Sequence, residues 1–333
     1  MTPAGGAYSE PVMGGSSAAL GLDAFEARPA PKVSIGLPVY NGEKYLAQAI
    51  QSILDQTFID FELIISDNAS TDETAQICAD FAARDRRVRY FRQEQNLGAA
   101  PNHQFTFFQA VGEYFKWSAH DDIMEPTWLE RCVAVLDSRP EVQLAFPLSL
   151  LIDESDEVLG KHPEYGGRLM SSRPSERFCD FVCKQNDCIA IFGLSRRREL
   201  QTTELISARE ESDRYLLAEL ALRGAWYEIP EYLFKRRHHS EAYSHSVARG
   251  HRMAWWDTSR ADSITFPEWR SIGVYHQLIN ETPLSTQERW ACRRLIVRYL
   301  FGPRWYRQRW VKLLRDAARG GYRHALRATA KRG

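Results

Sequence analysis

Four short apolar runs alternate with stretches of helical periodicity in the first third of the chain, and this alternation constrains the fold more than any other feature. The predicted strands are Val33–Leu37, Phe61–Ser66, Val88–Phe91 and Tyr114–Trp117, and the predicted helices between them are Glu43–Asp55, Ser70–Arg84 and Ala99–Val111. Pro38 is expected to end the first strand, and Ser70 with Glu73 forms a capping box that is expected to open the second helix. Strands and helices that alternate over short connections predict an α/β fold, in which helices cover a mostly parallel sheet on both faces.

Polar residues follow each of the four predicted strands. They are Tyr40-Asn41, Asp67-Asn68, Asn96 and Asp121-Asp122, in chain order. Right-handed crossovers place the carboxyl ends of the strands at one edge of such a sheet, and open α/β sheets bind ligands at that edge. The sequence has no G-x-G-x-x-G, G-x-x-x-x-G-K-[ST] or G-x-S-x-G motif, so a dinucleotide fold, a P-loop and a hydrolase elbow lose support.

Asp121 and Asp122 are the strongest candidates for chemistry. Two adjacent carboxylates at a strand end repel each other unless a positive charge lies beside them. A divalent cation that bridges to a diphosphate supplies that charge. The alternative is a solvated acidic turn or a helix N-cap, but the position at the end of the fourth strand favours a metal site.

Four other features admit two interpretations each. Asp67 either accepts a hydrogen bond from a base or ribose or forms an Asx-turn, and Tyr40 either stacks on a base or is an exposed turn residue. Asp213 begins a strong helix pattern, where it is either a general base or an ordinary N-terminal helix acid. The run Lys235–His239 either contacts a diphosphate or metal or is solvated surface.

These features occur together, in order, in the family 2 glycosyltransferases, which the chain resembles over roughly residues 32–242. The segments that carry the resemblance are Val33–Gly42, Gln56-Thr57-Phe58, Glu62–Asp72, Asn96-Leu97-Gly98, His120-Asp121-Asp122 with Pro126, and Ser212-Asp213 ahead of Leu220–Gly224. The resemblance implies the GT-A fold, a Rossmann-like mostly parallel sheet flanked by helices, here with a C-terminal helical extension. It also implies an enzyme that transfers a sugar with inversion at the anomeric carbon.

The resemblance assigns roles to individual residues. The implied contacts to the nucleotide-sugar are Pro38, Tyr40, Asn41, Glu43, Asp67, Asn96 and Asp121. Asp122 is the implied ligand of a divalent metal, Mn or Mg, because Ala119 stands where many members carry another aspartate. Either His238 or His239 is the implied histidine near the diphosphate or metal, and His239 is the one we assign. Asp213 is the implied catalytic base, although Ser212 replaces the acid that usually precedes it.

The predicted function is therefore transfer of a sugar from a nucleotide-diphosphate-sugar donor to an acceptor hydroxyl. The expected acceptor is a glycan or a lipid-linked glycan in cell-envelope polysaccharide synthesis. A sugar-1-phosphate nucleotidyltransferase uses a related sheet but needs an early Gly-rich, basic loop, and Pro38–Gly42 is not one. The non-enzymatic alternative is a degenerate transferase that binds a sugar-nucleotide or a partner.

Residues 1–30 are predicted to form a disordered tail, 31–245 the catalytic domain and 246–333 a helical, basic extension. Between Arg304 and Gly333 there are ten Lys and Arg residues and one acid. A basic helix with tryptophans either lies on an anionic membrane surface or packs on the catalytic domain with a solvated basic face. The membrane interpretation would suit a lipid-linked acceptor.

The composition gives expectations for location and partners. Lys plus Arg equals Asp plus Glu at 43 each, so no nucleic-acid partner is expected. No apolar run is long enough to cross a bilayer, and no secretory signal is recognisable. Six dispersed cysteines fit a reducing compartment. We therefore expect a cytoplasmic protein, with peripheral contact to the inner face of the membrane as the alternative to a freely diffusing one.

Overall fold

The computed structural model describes residues 29–183, 188–239 and 267–301. Most of the predicted tail and the basic segment 304–333 lie outside the described residues, as does the predicted boundary near residue 245. Among the described residues, no helix combines the length and hydropathy that crossing a bilayer requires.

The first half of the chain has the predicted alternation. Its elements are β1 Val33–Val39, α1 Leu46–Leu54, β2 Phe61–Asp67, α2 Thr74–Arg84, β3 Val88–Arg92, α3 Ala99–Phe108 and β4 Tyr114–Trp117. Strands β1, β2, β3 and β4 are parallel and lie in the order β3-β2-β1-β4. The side chains of β1, β2 and β4 are buried, so the continuous apolar runs of these strands are the centre of the core, whereas most of β3 at the sheet edge is partly buried.

Two local predictions in this half are wrong. Strand β1 continues through Pro38, because the carbonyl of Gly36 accepts from Ser118 on the β4 side and that of Val39 accepts from Asn68 on the β2 side. The nitrogen of Pro38 therefore faces the β4 side beyond the end of that ladder, where no donor is needed. Helix α2 begins at Thr74, and Ser70 does not cap it.

The second half of the chain extends the same sheet. Its elements are β5 Ile123–Met124, α4 Trp128–Ser138, β6 Val142–Ile152, β7 Val158–Lys161, α5 Pro174–Cys183, a 3-10 helix Ile189–Phe192, β8 Leu194–Arg196, α6 Arg197–Leu200, α7 Ser212–Arg223 and β9 Ala225–Arg237. The described sheet has the order β3-β2-β1-β4-β8-β6-β9-β5, and β7 pairs with β6. Its long ladders are parallel, whereas the short ladders of β5, β7 and β8 are antiparallel.

Secondary-structure predictions fail more often in this half. The stretch predicted as loop from Asp153 to Gly167 contains β7, and the predicted strand Ile189–Leu194 is mostly the 3-10 helix. The segment around Pro230 is one long strand, since the register with β6 shifts there and no ladder bond from Pro230 is required. Short, irregularly paired strands lack the periodicity on which sequence reasoning depends.

Two further helices, α8 Pro267–Glu281 and α9 Thr286–Phe301, lie within the predicted helical extension. They pack against α5 and α7. The Phe178 and Tyr275 rings meet edge to face at 5.7 Å, and the hydroxyls of Tyr215 and Ser271 are 2.9 Å apart. These contacts tie α8 to α5 and to α7, the helix that carries Asp213.

Candidate active site

The carboxyl ends of β1, β2 and β4 meet at one edge of the sheet. Val39 is the register partner of Asp67, and Gly36 is the partner of Trp117. The next residue of β4, Ser118, donates to the carbonyl of Gly36 at 2.8 Å. The loops that follow these strands therefore start side by side, as the sequence predicts.

Asp67 is completely buried at the end of β2. One carboxylate oxygen accepts the backbone N–H of Ser70 at 2.8 Å, and the other accepts the hydroxyl of Tyr90 at 3.0 Å. The half-exposed guanidinium of Arg92 lies 3.7 Å from the same carboxylate. Sequence reasoning missed Tyr90 and Arg92, although their spacing of two residues in β3 places both on the face of Asp67.

The loop after β1 is fastened to the turn before α2 by reciprocal hydrogen bonds. The N–H of Asn41 donates to Ser70 Oγ at 2.9 Å, and the N–H of Thr71 donates to Asn41 Oδ1 at 2.9 Å. The N–H of Glu43 donates to Asp72 at 3.1 Å, and the N–H of Glu73 donates to Glu43 at 2.9 Å. The structure thus uses Asn41 and Glu43 to join two loops, and their direct contact with a nucleotide stays a prediction.

Pro38, within β1, and Tyr40, in the loop that follows it, lie in different surroundings. The Tyr40 side chain is 45% exposed at the strand edge, so its ring is accessible to a base. Pro38 is buried within β1. Tyr40 therefore has the access that its predicted stacking role needs.

Asn96 supports the loop after β3. Its side-chain oxygen accepts from the amide of Asn68 at 3.0 Å and from the N–H of Gly98 at 2.9 Å. In return the Asn68 oxygen accepts the N–H of Leu97 at 2.9 Å. Asn96 thereby lies beside the end of β2, and a donor contact from it stays a prediction.

Asp121 and Asp122 have different environments. The Asp121 carboxylate is 2.8 Å from Nε2 of His239, and its side chain is 16% exposed. The Asp122 carboxylate is buried and accepts the backbone N–H of Arg237 at 2.9 Å. The pair is thus held by the end of β9, which no short-range sequence pattern could indicate.

The two carboxylates also differ in acidity. Burial raises the pKa of Asp122 to about 7, and the charge of Asp121 adds to the rise. Burial alone would raise the pKa of Asp121 too, but the hydrogen bond with His239 and the charge of the adjacent His120 outweigh it and lower that pKa. Asp121 is therefore the first of the pair to ionise. A cation bound beside the pair would lower the pKa of Asp122 and favour loss of its proton.

Arg237 belongs to the run Lys235–His239, which was interpreted as either a contact to a diphosphate or metal or solvated surface, and its side chain is only 1% exposed. Its Nε donates to the carbonyl of Asp121 at 2.9 Å, so one residue holds both aspartates of the pair. Tyr45 packs between Arg237 and His239, with its ring centroid 4.4 Å from the guanidinium carbon and 5.0 Å from the imidazole centroid. Neither Arg237 nor Tyr45 was singled out from sequence.

Lys116 lies on the core side of Asp122 and was also missed. Its ammonium is 3.3 Å from the sulfur of Met124 and 4.7 Å from the ring centroid of Trp128. Burial lowers the pKa of Lys116 to about 7, although the nearby Cys132 and Asp122 partly oppose that shift. A lysine inside the aromatic run Tyr114–Trp117 is the sequence signal that could have marked it, because unpaired lysines are rarely fully buried.

Asp213 lies in the first turn of α7, as the sequence predicts. Its carboxylate accepts the N–H of Arg214 at 2.8 Å. Burial raises the pKa of Asp213, and the Arg214 N–H together with the charges of Arg214 and Arg236 offset part of the rise. The charge of Arg236 acts on Asp122 as well, so the end of β9 connects the two carboxylates electrostatically.

Asp121, Asp122 and His239 supply carboxylate and imidazole groups, which are donor types that a divalent cation shared with a substrate phosphate takes. Among the described residues, no three His, Cys, Asp or Glu side chains form a cluster that could hold a metal alone. Mg²⁺ and Mn²⁺ bind through one or two carboxylates plus substrate phosphates, and imidazole is compatible with Mn²⁺. The residues present therefore fit a metal that arrives with a diphosphate.

Comparison with known proteins gives the family. Residues 34–198 match the profile of glycosyl transferase family 2. The putative glycosyltransferase EpsE of Bacillus subtilis is 32% identical over 221 residues, which is 64% of this chain and 75% of that protein. An uncharacterised glycosyltransferase of Haemophilus influenzae is 24% identical over 76% of this chain and 79% of its own length.

Solved structures show the same fold at lower identity. The S. aureus TarS 1-349 structure in complex with UDP superposes with a TM-score of 0.57 at 16% identity, over 81% of this chain and 72% of that chain. The mannosyltransferase PcManGT from Pyrobaculum calidifontis, in complex with GDP-Man and Mn²⁺, gives 0.50 at 16% identity, over 92% and 76%. The α/β sheet and these neighbours confirm the GT-A fold predicted from sequence. The chain belongs to the family 2 glycosyltransferases.

Proposed function

We propose that this glycosyltransferase moves a sugar from a nucleotide-diphosphate-sugar to an acceptor hydroxyl with inversion at the anomeric carbon. The observation that carries the proposal is the gathering of Asp67 and the Asp121-Asp122 pair at one sheet edge, with Asp213 in the first turn of α7 as a third acid. Asp67 is suited to binding the nucleoside, and the Asp121-Asp122 pair is suited to binding the diphosphate. Asp213 is suited to removing a proton.

The nucleoside end of the donor lies against β2 and the loop after β1. Asp67 is held rigidly by Ser70 and Tyr90, and the accessible ring of Tyr40 offers a stacking surface. Arg92 places a half-exposed guanidinium beside this position. The TarS and PcManGT structures contain UDP-GlcNAc and GDP-Man respectively, which supports a nucleotide-sugar donor without choosing the base.

Asp122, Asp121 and His239 would hold a divalent cation, Mn²⁺ or Mg²⁺, together with the donor diphosphate. When bound, such a cation neutralises charge that develops on the leaving nucleoside diphosphate. The chain's own part is to hold the Asp121-Asp122 turn in place through Arg237 and to keep Asp121 ionised through His239.

Asp213 acts as the general base. The acceptor hydroxyl transfers its proton to the Asp213 carboxylate while its oxygen forms a bond to the anomeric carbon. The bond from that carbon to the diphosphate oxygen breaks, and the nucleoside diphosphate leaves with the electron pair. A pKa raised by burial makes Asp213 a stronger base than an exposed aspartate, which favours this role.

The proposed acceptor is a glycan or a lipid-linked glycan of cell-envelope polysaccharide synthesis, used at the cytoplasmic face of the membrane. The basic, tryptophan-containing sequence from Arg304 to Gly333 supports contact with an anionic lipid surface. In the described residues, Trp290 on α9 is 59% exposed, with the Arg293 guanidinium 5.6 Å from its ring centroid. A tryptophan and an arginine on one helix surface are of the kind found at membrane interfaces.

The proposal is tested by thermal denaturation of the full chain with UDP or GDP, each with and without Mn²⁺. Stabilisation by one nucleotide only when Mn²⁺ is present is the expected result, because a ligand that binds the folded state raises its stability. NMR of the product formed from the matching donor should then show the inverted anomer. Retention of configuration, or binding without any turnover on glycan or lipid-linked acceptors, would contradict the proposal.

A further inference from the structure

The guanidinium of Arg237 is fully engaged, and none of its side-chain bonds goes to the carboxylate of Asp121 or Asp122. Nε donates to the carbonyl of Asp121, Nη1 to the carbonyl of Asp153 at 2.9 Å, and Nη2 to Gln48 Oε1 at 2.8 Å. Nη1 also lies 2.6 Å from a carboxylate oxygen of Asp156. A permanent cation thus lies next to the acidic pair, but its Nη1 and Nη2 atoms bond to groups outside the pair.

An unbalanced cation at this position would harm an acidic metal site. A buried guanidinium close to two carboxylates either pairs with them or repels an incoming cation, and the low local dielectric strengthens both effects. Asp156 provides the balancing negative charge from outside the sheet edge. Its second carboxylate oxygen accepts from Gln48 Nε2 at 2.7 Å, so the acid is held in a fixed position.

The turn that carries Asp156 is built to present it. The turn joins β6 to β7, and Asp156 adopts a left-handed backbone with φ of +70°. Asp153 Oδ1 accepts the N–H groups of Ser155 at 2.8 Å and Glu157 at 3.0 Å. The turn is therefore ordered by its own hydrogen bonds as well as by Arg237.

We propose that Arg237 is a positioning residue for the Asp121-Asp122 turn, and that Asp156 is its counter-ion, which keeps the guanidinium charge from weakening cation binding at that turn. The inference rests on the proposed function, because it concerns the same metal–diphosphate site. It assigns a role in that site to the β6–β7 turn, which is distant from the acidic pair in sequence and supplies none of the candidate ligands.

The first test is Asp156→Asn, which removes the negative charge and one of the two acceptor oxygens but keeps the size of the side chain. Asparagine tolerates the left-handed backbone as well as aspartate does, so the turn should keep its shape. The measurement is the Mn²⁺ concentration that gives half-maximal thermal stabilisation by the nucleoside diphosphate, UDP or GDP, to which the wild type responds. We expect this concentration to rise about fivefold, because Asp156, although half-exposed, balances a guanidinium that is only 1% exposed and therefore weakly screened by solvent.

Glu154→Gln is the matched control for this change. Glu154 lies in the same turn and pairs with Lys44 at 2.6 Å, both side chains being about half exposed. Its loss removes the same charge from the same loop without touching Arg237. The Mn²⁺ requirement of Glu154→Gln should stay within about twofold of wild type, as expected for an exposed, solvent-screened pair.

The second test is Arg237→Lys, which keeps the charge but not the fork of donors. A lysine cannot bond the Asp121 carbonyl, Asp153 and Gln48 together. We expect the Mn²⁺ requirement to rise and kcat to fall, each about tenfold or more, while donor KM at saturating Mn²⁺ changes little. Arg196→Lys is the control for burial, since Arg196 donates to the carbonyls of Val142, Leu136 and Arg139, on the side of β4 away from the pair.

The outcomes separate the two proposals. If the wild type binds neither UDP nor GDP in a Mn²⁺-dependent way, the proposed function fails and this inference fails with it. If the wild type binds one of them and Asp156→Asn matches Glu154→Gln, only the role of Asp156 is refuted. If Arg237→Lys loses thermal stability as Arg196→Lys does but keeps the wild-type Mn²⁺ requirement, Arg237 is a structural residue alone.

Discussion

Nε2 of His239 lies 2.8 Å from a carboxylate oxygen of Asp121, although 118 positions separate the two residues in the chain. This contact joins the residue just after β9 to the loop just after β4. The contact supports the assignment of His239 rather than His238, and a functional role for either histidine stays a prediction. His239 is therefore the histidine associated with the acidic pair.

Replacing His239 by alanine should weaken cation binding at the acidic pair. Loss of the imidazole removes a candidate ligand and the hydrogen bond that favours ionised Asp121, and such losses typically cost 10- to 100-fold in metal affinity. The Mn²⁺ concentration for half-maximal turnover should rise by about that factor. His238→Ala is the control and should stay near wild type; equal effects in both variants would remove the distinction between them.

Asp213→Asn should abolish most turnover while leaving donor binding intact. Asparagine has nearly the same shape but cannot accept the acceptor's proton, and general-base catalysis is worth about 10²- to 10⁴-fold. Steady-state kcat and Mn²⁺-dependent binding of the nucleoside diphosphate are the two measurements. A variant that keeps wild-type kcat would exclude Asp213 as the base.

The same substitution should raise the stability of the metal-free protein near neutral pH. Because burial raises the pKa of Asp213 above its unfolded value of about 3.9, the folded protein retains a proton that the unfolded chain has already released. The free energy of unfolding therefore falls as pH rises from the unfolded pKa through the folded one. Asp213→Asn lacks this penalty, so its Tm should exceed that of wild type at pH 8 and approach it at pH 4.

Turnover should depend on the same ionisation in the opposite sense. The base must be unprotonated to act, so kcat should decrease as pH falls through the raised pKa of Asp213. The acid limb of the kcat profile should therefore lie above the value of an ordinary aspartate. An acid limb at or below pH 4 would show that a different group limits the reaction.

Asn41→Ala should destabilise the fold through the joined loops. Asn41 has φ of +50° and its side chain accepts the N–H of Thr71. Alanine is disfavoured at that φ and lacks the side-chain amide, so Asn41→Ala should lower the free energy of unfolding by about 1–2 kcal/mol. Asn41→Gly should lower it less, because glycine adopts a positive φ without strain. Urea unfolding measures this. If Asn41→Ala unfolds like wild type but loses donor binding, the residue contacts the nucleotide directly, as the sequence resemblance implies.

The sequence predicted the β1–β4 half of the sheet because each strand there is a continuous apolar run followed by a turn residue. It also located Asp67, Asp121, Asp122 and Asp213, since each follows a strand or begins a helix with strong periodicity. It did not find Arg237, Asp156 or Lys116. The positions of Arg237 and Asp156 depend on pairings such as Leu151 with Arg236 between β6 and β9, and a register set by two distant strands leaves no local pattern in the sequence.

The reciprocal bonds between Asn41, Glu43 and the Ser70–Glu73 turn have a consequence for how donor preference can change. Neither loop can gain or lose a residue alone without breaking the bonds that shape the other. Insertions there would disrupt both walls of the proposed nucleoside pocket at once. Variation among relatives, and engineering of a new donor, should instead concentrate on single side chains such as Tyr40 and Arg92, which border the pocket with half-exposed surfaces.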